Sequence, residues 1–141
     1  MKKLNELDLK ILRRLTTNAR VPLRDVAEGE NSSRSSVNQR LTRMIENGVL
    51  TSLKYHVNPK KIGYNTCTYV GVRLERGSLY KEVAERMREI PEIVECHFTT
   101  GPYTMLIKLY AIDNNDLMRI LNGIIQGLPG VVATETLISL D

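Results

Sequence analysis

The sequence predicts an α+β protein made of two small domains. Residues 5–48 carry three helical patterns, and residues 66–140 follow the order strand, helix, strand, strand, helix, strand. The charge changes at the same place: residues 1–64 hold 13 Lys and Arg against 6 Asp and Glu, whereas residues 65–141 hold 7 against 10. Because 141 residues give each half only a thin core, self-association is expected to add buried surface.

The first two helices are predicted from their starts and stops. Asn5 is a good N-cap with Asp8 at the third helical position, and the apolar residues that follow recur at helical spacing until about Asn18. Pro22 can open a second, short helix, LRDVAE. The first N–H groups of a helix have no partner within the helix, so proline, which has no N–H, loses no hydrogen bond there. A polar turn over residues 29–32 is expected next.

The third helix is predicted to begin after Ser33 and to stop at Gly48. One side carries the apolar residues Val37, Leu41 and Met44. The opposite side is polar and carries Arg34, Ser35, Asn38, Gln39, Thr42 and Arg43. Arginine suits the acceptors of guanine, asparagine and glutamine suit adenine, and serine reaches bases or phosphates, so this side fits a DNA major groove. The alternative is an ordinary solvated helix.

The position of this helix favours the DNA-binding alternative. Three short helices followed by the strand-like stretch VLTSLKYHV, residues 49–57, are the arrangement of a winged helix-turn-helix, whose last helix enters the major groove. The net charge of +7 over residues 1–64 points to a polyanionic partner such as double-stranded DNA. Phosphate contacts are expected from Arg20, Arg24, Lys54, Lys60 and Lys61.

The turn GENSS between the second and third helices disagrees with the simplest form of this motif. It offers no apolar side chain to insert between the helices, and Glu30 adds negative charge beside the proposed DNA-binding side. The composition predicts a loosely packed or mobile turn.

The second half predicts a ferredoxin-like βαββαβ domain, with one antiparallel sheet and two helices on one face. Its strands are TCTYVGVRL, IVECHFTT, YTMLIKLYA and VVATETLISL, and its helices are SLYKEVAERMREI and DNNDLMRILNGIIQGL. The connector NPKKIGY precedes it. The predicted limits are therefore a helix-turn-helix domain over 1–57, a linker over 58–64 and a ferredoxin-like domain over 65–141.

A second candidate site is the corner FTTGPYTM. It offers backbone N–H groups and the hydroxyls of Thr99, Thr100, Tyr103 and Thr104, which suit a small polar ligand. A hairpin corner with Gly and Pro also forms without any ligand, and this structural alternative stays open.

Other classes of protein find little support. The apolar runs are too short to span a bilayer and the N-terminus lacks the apolar stretch of a signal peptide, so a cytoplasmic protein without a membrane partner is expected. Cys67 and Cys96 have no CxxC spacing, which indicates neither a metal site nor a disulfide framework. No nucleophile or phosphate-loop motif is present, so neither an enzyme nor a cofactor is expected.

Taken together, these residues resemble the leucine-responsive and asparagine-responsive regulator family, Lrp/AsnC, over essentially the whole chain. The matching stretches are LNELDLKILRRLTTNARVPLRDVA, SVNQRLTRMIENGVL, YHVNPKKIGY, PEIVECHFTTGPYTMLIKLYA and LPGVVATETLISL. The resemblance implies a transcriptional regulator with an N-terminal winged helix-turn-helix. It also implies a ferredoxin-like domain that dimerises, assembles commonly into octamers and binds amino-acid effectors.

The resemblance also implies site residues. It places a recognition helix over 33–47, and the positions expected at DNA are Ser33, Arg34, Ser35, Ser36, Asn38, Gln39 and Arg43. It places an effector rim at Thr100, Gly101 and Tyr103, next to Thr104, where the family commonly has Asp, the natural partner of an amino-acid ammonium group. The family also usually has apolar residues at the positions of Glu30 and Ser32. The competing hypothesis is a small-molecule sensor or DNA-architectural protein with weak sequence specificity, in which the polar turn impairs the helix-turn-helix.

Overall fold

The computed structural model describes residues 3–141, so the first two residues of the predicted domain 1–57 lie outside the described residues. The chain divides into two compact units between His56 and Val57. Within residues 3–141, no helix has the length and apolar content needed to cross a membrane.

The first unit contains the three predicted helices: α1, Glu6–Thr17; α2, Leu23–Gly29; and α3, Arg34–Glu46. Asn5 and Asp8 form the predicted capping box, because each side chain accepts a hydrogen bond of 3.0 Å from the backbone N–H of the other residue. The sequence prediction for the start of α1 is confirmed.

The limits of α3 are also as predicted. Ser33 Oγ accepts a hydrogen bond of 3.1 Å from Ser36 N, which satisfies one of the unpaired N–H groups at the helix start. At the other end Gly48 has a φ of 73°, and Val49 N donates to Met44 O at 2.8 Å. A left-handed glycine that closes such a bond is a common way to end a helix, so the predicted stop at Gly48 is confirmed.

The core of the first unit is small. Its fully buried apolar residues, each at most 2% exposed, are Ile11, Val26, Ala27, Val37 and Met44. All three helices contribute to this cluster, so α3 is anchored by its apolar edge.

The prediction of a strand over 49–57 is wrong for this structure. Residues 51–58 have no regular secondary structure and are all exposed. The composition is typical of a strand, but a strand forms only when a neighbour takes up its backbone N–H and C=O groups. The described part of the first unit contains no other strand that could do so.

The second unit has the predicted order of elements. The strands are β1, Thr66–Leu74; β2, Ile93–Phe98; β3, Met105–Ala111; and β4, Val131–Ile138. The helices are α4, Tyr80–Arg88, and α5, Asn114–Gly123. The strands pair antiparallel in the order β2-β3-β1-β4, which confirms the ferredoxin-like prediction. The two helices are shorter than predicted, because a 3₁₀ turn replaces one end of each, at Gly77–Leu79 and Ile125–Gly127.

The two faces of this sheet differ. Alternate residues of β1 and β3, such as Val70 and Ile107, are buried in a cluster that includes Val83 of α4 and Ile120 of α5. The residues that alternate with these along each strand lie on the other face of the sheet, which remains partly exposed. Its exposed large apolar residues are Tyr69, Leu106 and Leu137, which are 38%, 36% and 61% exposed.

Candidate functional site

The polar side of α3 is open to solvent. Arg34, Ser35, Asn38, Gln39, Thr42 and Arg43 are exposed, and Ser36 is half-buried. Within the described residues, no side-chain hydrogen bond or ion pair engages Arg34, Asn38, Gln39 or Arg43. Ser33 is used differently, because its hydroxyl caps the helix and lies 3.2 Å from Ser35 Oγ. The structure therefore brings the predicted groups together on one face and leaves the side chains of Arg34, Asn38, Gln39 and Arg43 available.

Arg40, which lies on the same helix, has a different role from its neighbours. Its Nη1 donates to Asp8 Oδ1 at 2.9 Å and to Asn5 Oδ1 at 3.1 Å, so it ties α3 to the capped start of α1. Burial raises the pKa of Asp8, but hydrogen bonds from Asn5 and Arg40 and the charge of Arg43 outweigh it, and the pKa lies below its ordinary value. The sequence pattern did not distinguish Arg40 from the arginines that face solvent.

The predicted phosphate-binding residues are more scattered. Arg20 is exposed, and its guanidinium lies 4.7 Å from the centre of the Tyr55 ring. Arg24 is exposed on α2, and its Nε lies 3.4 Å from Asp25 Oδ1. Lys54 is exposed in the irregular segment, whereas Lys60 and Lys61 belong to the second unit, where Lys60 Nζ donates to the Asp141 carbonyl.

The turn between α2 and α3 is held by hydrogen bonds and an ion pair, whereas its composition predicted a loosely packed or mobile turn. Asn31 has a φ of 51°, Ser32 N donates to Ala27 O at 2.9 Å, and Asn31 N donates to Glu28 O at 3.3 Å. This is the double hydrogen bond of a Schellman helix end, with asparagine in the left-handed position that glycine usually takes. Glu30 adds an ion pair to Arg14 of α1, with a distance of 2.8 Å between Oε1 and Nε.

The predicted effector corner lies between β2 and β3, and most of its hydroxyls have partners inside the protein. Thr99 Oγ1 donates to Tyr103 O at 3.1 Å. Thr104 Oγ1 accepts from Leu74 N at 3.2 Å, and Thr104 N donates to Val72 O at 2.9 Å. Thr104 thus joins the corner to β1. The exposed part of the corner consists of Thr100, Gly101 and Pro102, and Gly101 has a φ of 99°.

Tyr103 connects this corner to two strands of the sheet. Its ring covers Gly71 of β1 so closely that a Cβ on Gly71 would lie 2.7 Å from the ring, and its hydroxyl donates to the Glu135 carboxylate of β4. This hydrogen bond, followed by burial and the charge of Glu135, raises the pKa of Tyr103, although Arg73 acts in the opposite direction. Sequence analysis missed both Gly71 and Glu135. A glycine inside an alternating strand is a recognised sign of close packing, whereas Glu135 gave no signal.

A metal site finds no support in the described residues. Within 3–141, no three His, Cys, Asp or Glu side chains lie close enough together to hold an ion.

Comparison with known proteins agrees with both halves of the structure. A model of winged helix-turn-helix DNA-binding domains matches residues 4–51, and a model of the Lrp/AsnC ligand-binding domain matches residues 67–141. Regulatory protein AsnC of Haemophilus influenzae is 31% identical over 141 residues, which cover 100% of this chain and 94% of that protein.

Solved structures show the same fold. The structure of AsnC from E. coli has a TM-score of 0.92 at 28% identity and covers 99% of this chain and 94% of that chain. A transcriptional regulator from Neisseria meningitidis, solved in complex with L-methionine, has a TM-score of 0.92 at 21% identity and covers 99% and 91%. With a matching domain model in each half and a relative aligned from end to end, the chain belongs to the Lrp/AsnC family of DNA-binding transcriptional regulators.

Proposed function

We propose that α3 recognises operator DNA in the major groove through Arg34, Ser35, Ser36, Asn38, Gln39 and Arg43. The observation that carries this proposal is that α3 is anchored by Val37 and Met44 on one edge while the polar side chains on the other edge are exposed. Arginine, asparagine and glutamine at adjacent helical positions match the donors and acceptors of guanine and adenine. Ser33 would place the helix start near a phosphate, and Arg20 and Arg24 would contact phosphates without reading bases.

The rival hypothesis of an impaired helix-turn-helix loses its main support. It depended on a loose turn, and residues 29–32 instead form a hydrogen-bonded helix end that an ion pair ties to α1. We therefore propose sequence-specific binding. We also propose the domain limits predicted from the sequence: a helix-turn-helix domain over 1–57, a linker over 58–64 and a ferredoxin-like domain over 65–141.

We also propose that the protein works as a homodimer that assembles further, with an octamer as the expected form. The sheet face that carries Tyr69, Leu106 and Leu137 supports this. Covering three large apolar side chains with another surface removes them from water, which lowers the free energy of the assembly. The small core of the first unit is a second reason to expect stabilisation by association. Light scattering over a range of concentrations tests this part.

An amino-acid effector at Thr100, Gly101, Tyr103 and Thr104 is the third part of the proposal. The ligand-binding domain match and the L-methionine complex of the Neisseria regulator support it. The groups available at this corner are the Thr100 hydroxyl, the Gly101 backbone and the Tyr103 ring, with the Glu135 carboxylate within hydrogen-bond reach of Tyr103. Calorimetric titration with a panel of amino acids tests it, and absence of heat from every one would contradict it.

The DNA part is tested with a fragment selected from a random pool for tight binding. Fluorescence anisotropy should show tighter binding to the selected fragment than to a scrambled one. For both, the logarithm of the affinity should fall by about 0.9 per logarithmic unit of salt for each phosphate neutralised. Equal affinity for both fragments at every salt concentration would contradict sequence-specific recognition.

A further inference from the structure

Charged side chains occupy the junction between α1 and the turn that leads into α3. Arg14 Nε and Glu30 Oε1 lie 2.8 Å apart, and their side chains are 40% and 15% exposed. A carboxylate that is mostly removed from water needs a partner to offset its lost hydration, and the Arg14 guanidinium is that partner.

Gly29 makes this close arrangement possible. A Cβ on Gly29 would lie 2.5 Å from Arg14 Cζ, so the guanidinium occupies the space that any larger residue would fill. Arg14 therefore lies against the last residue of α2 and bonds the next residue, at the point where the chain turns toward α3.

We propose that Arg14 and Glu30 are positioning residues that hold the turn, and through it α3, at the angle needed to enter the major groove. The inference rests on the proposed function, since it concerns how α3 is presented to DNA. The ion pair takes the place of an apolar side chain inserted between the helices, and Gly29 leaves room for it.

This role can be separated from the simple effect of charge. Glu30 is a negative group in a domain that binds a polyanion, so removal of its charge alone should strengthen binding to every DNA. Loss of a positioning contact should instead weaken binding to the selected operator while random DNA is still bound, because only base contacts depend on the angle of α3.

Three variants make the distinction. Glu30→Gln removes the carboxylate charge and weakens the pair, because the hydrogen bond from the guanidinium to a neutral amide oxygen lacks the attraction between opposite charges. Glu28→Gln is the matched control: it removes the same charge two residues earlier, at an exposed side chain that pairs with none of residues 3–141. Gly29→Ala changes no charge but displaces the guanidinium, and alanine favours the helix.

Operator and scrambled DNA are titrated with each variant by anisotropy, with helix content checked by circular dichroism. Glu30→Gln and Gly29→Ala should each lose operator affinity by about fivefold. Glu28→Gln should not lose operator affinity, and it should raise affinity for scrambled DNA by the same small factor as Glu30→Gln. If Glu30→Gln matches Glu28→Gln on both DNAs and Gly29→Ala matches the wild type, the inference is overturned.

Hydrogen exchange gives a result that does not depend on DNA. The Ser32 amide, which donates to Ala27 O, should exchange faster in Glu30→Gln than in Glu28→Gln, and unchanged exchange would overturn the inference. The double variant Arg14→Met with Glu30→Leu should restore slow exchange and operator affinity, because apolar residues of similar volume can replace a buried ion pair. A wild type that does not distinguish operator from scrambled DNA defeats the proposed function instead, and the exchange experiment still decides this inference.

Discussion

The polar face of α3 and the corner over 99–104 both carry polar side chains, but they use them in opposite ways. On α3, Arg34, Asn38 and Gln39 are exposed and engaged with none of the described residues. At the corner, the hydroxyls of Thr99, Tyr103 and Thr104 all bond to atoms of the protein itself. The polar side chains of α3 are thus free to meet a ligand directly, whereas the hydroxyls of Thr99, Tyr103 and Thr104 would first have to exchange an existing hydrogen bond.

The cores beneath the two sites differ as well. Among residues 3–141, the first unit has five buried apolar residues in its core cluster, whereas the second unit has fifteen. Since the free energy of folding scales with buried apolar area, the first unit has less stability to lose. The polar face of α3 therefore belongs to the less stable of the two units, and mutations in the two cores should show this difference most strongly.

The largest effect is expected from core truncation. Ile11→Ala and Ile107→Ala each remove a fully buried side chain and should each cost about 2–5 kcal/mol of unfolding free energy. Ile11→Ala should unfold the first unit while the amide resonances of the sheet remain, whereas Ile107→Ala should leave a weakened but folded second unit. Denaturant titration followed by NMR measures each unit separately, and simultaneous loss of both units in both variants would show that the two cores are not independent.

The next effect concerns the free side chains of α3. Gln39→Ala should weaken the free energy of binding to operator DNA by about 1–3 kcal/mol, because a side chain that contacts a base edge discriminates by this amount. Its affinity for scrambled DNA should not change. Arg24→Ala is the control. It should weaken binding to both DNAs equally, and the slope of log affinity against log salt concentration should become shallower by the contribution of about one phosphate contact. Equal losses on both DNAs for Gln39→Ala would mean that this face only contacts the backbone.

The two sites also differ in how far the sequence predicts them. The face of α3 follows from local information, since the Ser33 cap, the Gly48 stop and the period of Val37 and Met44 determine which side chains face solvent. The order of the sheet follows from alternation in each strand and from the known connections of such domains.

Partnerships between distant residues could not be predicted in this way. Arg14 and Glu30 are 16 positions apart, and Tyr103 and Glu135 are 32 apart, so no local pattern relates them. The predicted strand at 49–57 failed for the same reason, because pairing depends on a second strand that residue composition does not specify. Composition showed only that the turn has no apolar side chain and that Glu30 adds a negative charge there. The fold brings Arg14 to Glu30 as its ion-pair partner.

A smaller effect is expected at the tie between α1 and α3. Asp8→Asn should cost about 1 kcal/mol at neutral pH, since it weakens both the helix cap and the pair with Arg40. The pKa of Asp8 is lowered by folding, so its contribution is complete above the unfolded value of roughly 4 and is lost as the pH falls through the folded pKa. Denaturant titrations from neutral to acid pH should show wild type and variant converging.

Glu6→Gln is the comparison for Asp8. Glu6 pairs with Lys10 at 3.2 Å on an exposed surface, with its side chain 85% exposed, and should contribute at most a few tenths of a kcal/mol. If Glu6→Gln and Asp8→Asn have the same pH dependence, the pair of Asp8 with Arg40 does not stabilise the domain.

The smallest effect tests whether the corner is internally bonded, as the comparison with α3 requires. The hydrogen bond to Glu135 raises the pKa of Tyr103, so Glu135→Gln should lower that pKa toward its ordinary value and leave the fold intact. Any contribution of this bond to stability is present below the unfolded tyrosine pKa of about 10 and is lost as the pH rises through the folded value. NMR of ring-labelled tyrosine, with the Tyr103 signal assigned from Tyr103→Phe, follows the titration. An identical titration in wild type and Glu135→Gln would mean that the Tyr103 hydroxyl is as free as the side chains of α3, and the corner would then have one more group to offer an effector.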